Sequence, residues 1–215
     1  MRILISEDSV LLREGLVRLL QHAGHEVPAA LCDAENIVAE VSAHSPDLAI
    51  LDVRLPPTYT NEGILAALEL RRTHPDLPLV VLSQYVEERY ASDLIASGAT
   101  SFGYLLKDRV ADVSEFLASL DAVASGGCVL DPEVVSQLLM RRRADAKLQR
   151  LTERERAVLA ALAEGKSNHA IAGLLHVSEA TVEKHITSIF TKLELDGEGN
   201  RRVLAALAHL EGTDG

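Results

Sequence analysis

Five side chains carry the chemistry that stands out in this chain: Glu7, Asp8, Asp52, Ser83 and Lys107. Three carboxylates held close together repel one another and raise each other's affinity for protons. A hard divalent cation removes that conflict. Mg2+ takes octahedral oxygen ligands and keeps several waters, so a phosphate oxygen can join its shell. A hydroxyl and an ammonium on the other side can then hold the remaining phosphate oxygens. A nucleophilic carboxylate, Mg2+, a hydroxyl donor and a cation together suit phosphoryl transfer onto Asp52, with stabilisation that is mainly electrostatic. Each residue alone is ordinary, since a strand-ending Asp is usually a cap and a lone Lys is usually surface. Their joint placement carries the reading.

That placement follows from the elements. Short aliphatic runs at Ile3–Ser6, Glu26–Ala30, Leu48–Leu51, Leu79–Leu82 and Phe102–Leu106 read as strands. Segments with helical spacing lie between and after them, at Val10–His22, Asn36–Ala43, Gly63–Thr73, Glu87–Ala96 and Val110–Ala124. Five strands alternating with five helices predict an α/β fold, a flavodoxin-like, doubly wound five-stranded parallel sheet. Leu79-Val80-Val81-Leu82 is apolar throughout, as a strand buried on both faces should be. Sites in such sheets form at the carboxyl edge. Glu7-Asp8, Asp52, Ser83 and Lys107 stand at the carboxyl ends of the first, third, fourth and fifth strands, so the topology converges them.

The texture then changes. Ser125-Gly126-Gly127 is a helix stop, and Asp131-Pro132 reads as a cap followed by Pro at the first helical position. A short helix to about Met140 and a polar stretch through Arg141-Arg142-Arg143 follow. From Leu151 the pattern is helical only. Thr152-Glu153-Arg154-Glu155 is a capping box, and Ser167 and Ser178 cap two more helices, to Leu175 and Leu193. A fourth runs from about Asn200 to Leu210. The tight turn His176-Val177-Ser178 makes this a small all-α, four-helix helix-turn-helix domain. The expected division is 1–125, a linker with a short helix at 126–147, and 148–215.

On the third of these helices Val182, Ile186, Ile189 and Leu193 form the core stripe. Lys184, Thr187 and Thr191 lie opposite with Glu183 at one edge, and Thr181, His185, Ser188 and Lys192 form the other flank. Polar groups facing outward suit base edges, and hydroxyls and cations beside them suit phosphates. By itself the layout equally describes an ordinary solvated face.

Charge tempers the DNA reading. The net charge is −11 over 215 residues, and residues 1–130 hold most of the acid, 19 Asp+Glu against 9 Lys+Arg. Residues 151–215 carry 10 acidic against 7 basic residues, which argues against strong nonspecific DNA affinity. Cys32 and Cys128 stand far apart, outside any CxxC or Cys/His cluster, and read as reduced thiols without a zinc site. No apolar run approaches the roughly 18 residues a membrane span needs. Glu7-Asp8 interrupt the N-terminus too early for a signal-peptide core, so the expected location is the cytoplasm. Two enzyme classes fit poorly. An aspartate-dependent phosphatase needs a second Asp two residues after the nucleophile, where this chain has Arg54. A dinucleotide site needs a glycine-rich turn after the first strand, where this chain has Glu7-Asp8-Ser9.

With these residues in place, 1 to about 125 resembles the receiver domain of two-component response regulators. Residues 148–210, through Leu151-Thr152-Glu153-Arg154-Glu155, Ile171-Ala172, Val177-Ser178, Thr181-Val182-Glu183-Lys184-His185 and Lys192-Leu193, resemble the LuxR-type helix-turn-helix. The whole chain is similar to the NarL/FixJ family of transcriptional regulators, which implies a non-enzymatic switch. The resemblance implies that Glu7, Asp8, Asp52 and the backbone carbonyl of Arg54 bind Mg2+. It implies that Asp52 accepts phosphate from a sensor histidine kinase, with Ser83 the switch hydroxyl, Tyr104 the switch aromatic and Lys107 the phosphate-binding cation. It implies promoter DNA as ligand, with Glu183, Lys184 and Thr187 nearest the bases and Thr181, His185 and Lys192 beside them. It implies a homodimer when phosphorylated, with Val203, Leu207 and Leu210 helping to form it. Two departures flank the pocket: the loop Pro56–Gly63 is about three residues longer than usual, and Gln84 follows Ser83 where a small residue is commoner. A second reading stands beside this one, a protein-interaction module that keeps the receiver fold and acts through contacts alone.

Overall fold

The computed structural model describes residues 1–87, 100–195 and 200–213, with the backbone alone for residues 142, 145 and 210–213. The chain divides into two compact units, Met1–Leu138 and Leu139–Gly215.

The first unit is a parallel sheet wrapped by helices. Its strands are β1 (Ile3–Ser6), β2 (Ala30–Leu31), β3 (Leu48–Asp52), β4 (Leu79–Ser83), β5 (Phe102–Leu106) and β6 (Cys128–Leu130), in the order β2-β1-β3-β4-β5-β6. Its helices are α1 (Val10–His22), α2 (Ile37–His44), α3 (Glu62–Thr73) and α4 (Val113–Ala124), with a 3-10 turn at Lys107–Ala111. The helix expected over Glu87–Ala96 falls almost wholly outside the described residues. Alternate strand residues point to opposite faces. Ile3, Ile5, Leu48, Ile50, Val80 and Leu82 pack with Leu16, Leu20, Phe116 and Leu120 of α1 and α4. Leu4, Ala49, Leu51, Leu79 and Val81 pack with Ile37, Val41, Ile64, Ala67 and Leu70 of α2 and α3. Both faces are therefore covered, which is why these strands are apolar throughout.

The sheet has six strands where the sequence reading has five. Cys128–Leu130 pairs in parallel with Phe102–Tyr104 of β5. Three residues are too few to show a period of two, and the preceding glycines mask the strand as a helix stop. The glycines do end α4: Gly126 has φ +94, and the Gly127 N–H donates to Ala122 O at 2.9 Å. The second strand is also shorter and later than Glu26–Ala30. Glu26 contributes only an isolated bridge to Arg2 before Ala30–Leu31 pairs with Ile5–Ser6. Asp112 splits the helix expected over Val110–Ala124, because its side chain accepts the Glu115 N–H at 3.0 Å and caps α4.

Helix α5 (Pro132–Gln149) continues well past Met140. Val134 and Leu138 pack in the first unit's core, and Leu148 packs in the second unit's. The rest of the second unit is α6 (Glu153–Ala163), α7 (Asn168–Leu175), α8 (Glu179–Lys192) and α9 (Arg201–Thr213). The Thr152–Glu155 capping box forms, and Ser167 and Ser178 accept the Ala170 and Thr181 amides. His176 ends α7 in the left-handed region at φ 53, which turns the chain sharply into α8. Val158, Leu159, Ile171, Val182, Ile186, Ile189 and Ala205 form one core. Among the described residues no helix is long and apolar enough to cross a membrane.

Candidate phosphoryl-acceptor pocket and helix-turn-helix surface

The carboxyl edge of the first sheet brings together what the sequence placed at its strand ends. Glu7, Asp8 and Asp52 each offer an oxygen, and these lie within 4.8 Å of one another. Lys107 reaches across from the end of β5, its ammonium 2.9 Å from Asp52 and 2.9 Å from Glu7. Glu7 and Asp52 are buried, while Asp8 keeps partial exposure. The Glu7 Oε1 accepts from Lys107 at 2.9 Å and from the Ser9 N–H at 3.1 Å. Its Oε2 is buried with no hydrogen bond. The Arg54 N–H donates to Asp52 Oδ1 at 3.4 Å, and the Arg54 side chain turns away to Glu87 at 2.7 Å.

Burial raises the pKa of Glu7 and of Asp52, against the pull of Lys107. The neighbouring charge of Asp52 raises Glu7 further, and that of Asp8 raises Asp52. Burial depresses the Lys107 ammonium, but Asp52 and Glu7 outweigh it and raise its pKa. The pocket therefore holds buried negative charge that one ammonium compensates incompletely, since Lys107 meets both Glu7 oxygens and Asp52 and the carboxyls are still pushed toward protonation.

Gly63 lets α3 start directly against this edge. A Cβ there would lie 1.7 Å from the Asp52 carbonyl oxygen, and the Gly63 N–H donates to Val53 O at 3.0 Å. No other residue fits without moving Asp52. The long loop before it is tied down by Glu62, which accepts the Thr58 and Thr60 amides at 3.0 and 2.9 Å and the Thr58 hydroxyl.

Ser83 is buried at the end of β4, and its hydroxyl donates to Tyr85 O. Tyr104 is fully buried, and its hydroxyl accepts the Glu87 N–H at 3.2 Å. The aromatic ring thus already lies inside. No sequence signal separates an inward ring from an outward one at this position.

On α8, Glu183, Lys184, Thr187 and Thr191 are exposed and Val182, Ile186 and Ile189 buried, as the spacing requires. Thr181 and His185 are half-exposed beside them. Lys192 and Ser188 differ. Lys192 turns to the buried Glu155, with its ammonium 2.6 Å from Oε2, and Ser188 donates to Glu155 Oε1 at 2.6 Å. The capping-box pattern of Glu155 signals its helix-capping hydrogen bonds but not this joint to α8. On α9, Val203 and Leu207 expose about half their surface, 52% and 48%. The Leu210 side chain lies outside the described residues.

Comparison with known proteins follows the same division. Residues 3–118 match the response regulator receiver domain family, and residues 149–208 match the luxR family of bacterial regulatory proteins. The transcriptional regulatory protein DegU of Brevibacillus brevis is 31% identical over 91% of this chain and 88% of its own. The transcriptional activator DevR/DosR of Mycobacterium tuberculosis is 31% identical over 96% of this chain and 92% of its own. The RcsB response regulator of Salmonella typhimurium shares the fold, with a TM-score of 0.69 at 23% identity over 98% of both chains. These relatives are transcriptional regulators, not enzymes. An acidic pocket at a receiver's sheet edge, a LuxR-type helix-turn-helix behind it, and relatives that align across both place the chain in the NarL/FixJ family of two-component response regulators.

Proposed function

We propose that Asp52 takes a phosphoryl group from a sensor histidine kinase and that the phosphorylated protein binds promoter DNA as a dimer. The observation that carries this is the cluster of Glu7, Asp8 and Asp52 with Lys107 lying 2.9 Å from both Asp52 and Glu7. The residues fit Mg2+: three carboxylates converge, two are pushed toward protonation, and a buried Glu7 oxygen lacks a hydrogen bond. Glu7, Asp8, Asp52 and the Arg54 carbonyl would hold it. When bound it would neutralise the carboxylates and stabilise charge on the phosphoryl oxygens. The Asp52 carboxylate attacks phosphorus, the P–N bond of the donor phosphohistidine breaks, and its electron pair stays on the imidazole. Lys107 exchanges its carboxylate partners for a phosphoryl oxygen. Ser83 gives up Tyr85 O to donate to the phosphoryl group, and the buried Tyr104 ring holds the switched arrangement.

In the second unit Glu183, Lys184 and Thr187 read bases, with Thr181 and His185 against the backbone of the DNA. Lys192 supports the reading helix through Glu155. Val203, Leu207 and Leu210 pair two copies. The working division is 1–125 for phosphate acceptance, 126–147 for linkage and 148–215 for DNA. The cytoplasm is the compartment that holds promoter DNA and the kinase's phosphodonor domain. The test uses Mg2+ and acetyl phosphate. The wild type gains one hydroxylamine-sensitive phosphate, and Asp52→Asn gains none. Equal labelling of the variant overturns the assignment.

A further inference from the structure

Asp131 is a buried charge that the phosphorylation chemistry does not use. It is 1% exposed, yet its carboxylate and amide together join three parts of the receiver. Arg109 clamps it from the 3-10 turn, with Nε 2.7 Å from Oδ2 and Nη2 3.2 Å from Oδ1. The Glu133 N–H, in the first turn of α5, donates to Oδ1 at 3.0 Å. The Asp131 N–H itself donates to Tyr104 O at 2.9 Å.

The positions of these partners matter more than their number. Tyr104 and Arg109 stand on either side of Lys107, whose ammonium bridges Glu7 and Asp52. Tyr104 lies three residues earlier on the same strand. Asp131 ends the β6 pairing with β5 and begins the helix Pro132–Gln149, whose residues from Leu139 on belong to the second unit. Asp131 thus fastens the start of that helix to both sides of the phosphate-binding lysine, through its amide to Tyr104 and its carboxylate to Arg109. Burial pushes the Asp131 carboxyl up, but Arg109 and the backbone amides bring it below its ordinary value, so the group is held ionised. A bidentate pair to a guanidinium is geometrically selective, and losing one partner leaves the other's charge uncompensated.

We infer that Arg109 and Asp131 are positioning residues that carry a displacement of Lys107 to the first turn of the Pro132–Gln149 helix. This rests on phosphate acceptance at Asp52. Lys107 changes partners when Asp52 is phosphorylated, the turn that carries it shifts, and the Asp131 clamp passes the shift to the cap of the helix. A link of this kind acts only if the clamp differs between the two states.

The experiment uses the full chain with Mg2+ and acetyl phosphate, and reads amide hydrogen exchange over residues 132–138 together with Asp52 labelling. In the wild type, phosphorylation changes exchange in that segment by about threefold or more. Asp131→Asn keeps a capping side chain but loses the ion pair, and Arg109→Gln touches a residue that is partly exposed. Each variant labels at a rate within about twofold of the wild type while the phosphate-dependent exchange change disappears. The double variant is no worse than either single one, because one link is broken once. A wild-type response in Arg109→Gln, or no response in the wild type despite full labelling, overturns the link alone. No labelling of the wild type overturns the phosphate-acceptor reading and the link with it.

Discussion

Glu7 and Glu155 are buried to nearly the same degree, 1% and 4% exposed, and their carboxyls move in opposite directions. Burial disfavours the charge of both. At Glu155 five hydrogen bonds answer it. Ser188 and Lys192 donate to Oε1 at 2.6 and 2.9 Å, and Thr152 N, Thr152 Oγ1 and Lys192 donate to Oε2 at 2.7, 3.0 and 2.6 Å. Lys192, Ser188 and Thr152 outweigh burial there, and the pKa falls to about 2. At Glu7 both oxygens share one Lys107 ammonium, only Oε1 has hydrogen bonds, Asp52 stands nearby, and burial raises the pKa. Saturation with donors makes Glu155 a structural joint. Incomplete saturation beside like charges leaves Glu7 with a conflict that a cation would relieve. Similar surface exposure does not distinguish the two acids, but the balance of desolvation and like charge against donors does.

Removing the structural acid should have the largest effect. Glu155→Ala leaves the Lys192 ammonium without its partner and opens the start of α6, so the second unit should lose about 3 kcal/mol. Urea unfolding followed by hydrogen exchange in α6 and α8 measures it, and a loss below about 0.5 kcal/mol would make Glu155 no different from a surface acid.

Acid should separate the two units. A depressed pKa at Glu155 gives stability that is complete above about 4.5 and is lost as the pH falls through about 2, worth up to about 3 kcal/mol. Raised pKa values at Glu7 and Asp52 work the other way, since protonation on acidification relieves the folded state. Exchange measured between pH 6 and pH 2 should therefore show the second unit weakening while the receiver pocket gains. Parallel loss in both units would break the contrast.

Two lysines on α8 sharpen the comparison. Lys184 is exposed and Lys192 is engaged with Glu155. Lys184→Ala should cost about 1–3 kcal/mol of discrimination between operator and random DNA with the fold's stability unchanged. Lys192→Ala should lower stability first. Binding titrations paired with thermal melts distinguish the two, and Lys184→Ala with unaltered discrimination removes it from the reading face.

The smallest effect has the unusual sign. Glu7→Gln removes a buried charge that nothing fully compensates and should raise receiver stability by about 1 kcal/mol. It should also reduce the thermal stabilisation that Mg2+ gives the wild type. Calorimetry with and without Mg2+ tests both, and a stability loss would mean that the Lys107 pair outweighs the repulsion.

The acidic cluster was legible because strand-ending residues in a parallel sheet converge by topology, so Glu7, Asp8, Asp52 and Lys107 could be placed together from their positions after the strands. The capping signals at Thr152, Ser167 and Ser178 were legible because a cap is a contact over three residues. Longer contacts escaped. Strand β6 is three residues long and follows two glycines, and only its pairing with β5 identifies it. The Arg109–Asp131 clamp spans 22 positions and has no local pattern.

By itself the sequence indicated the acidic cluster, because carboxylates and an ammonium at the ends of neighbouring parallel strands converge. It also indicated most of the strands and helices and the change from an acidic α/β segment to a helical one, because hydrophobic period and caps are local. Only the tertiary structure decided which polar groups face water and which face each other. Lys184, Ser188 and Lys192 follow one another at intervals of four along α8, and the spacing turns the last two onto a flank without saying what covers it. Glu155 packs beneath the last two and leaves the first exposed, since a neighbouring element covers part of a helix face and not all of it.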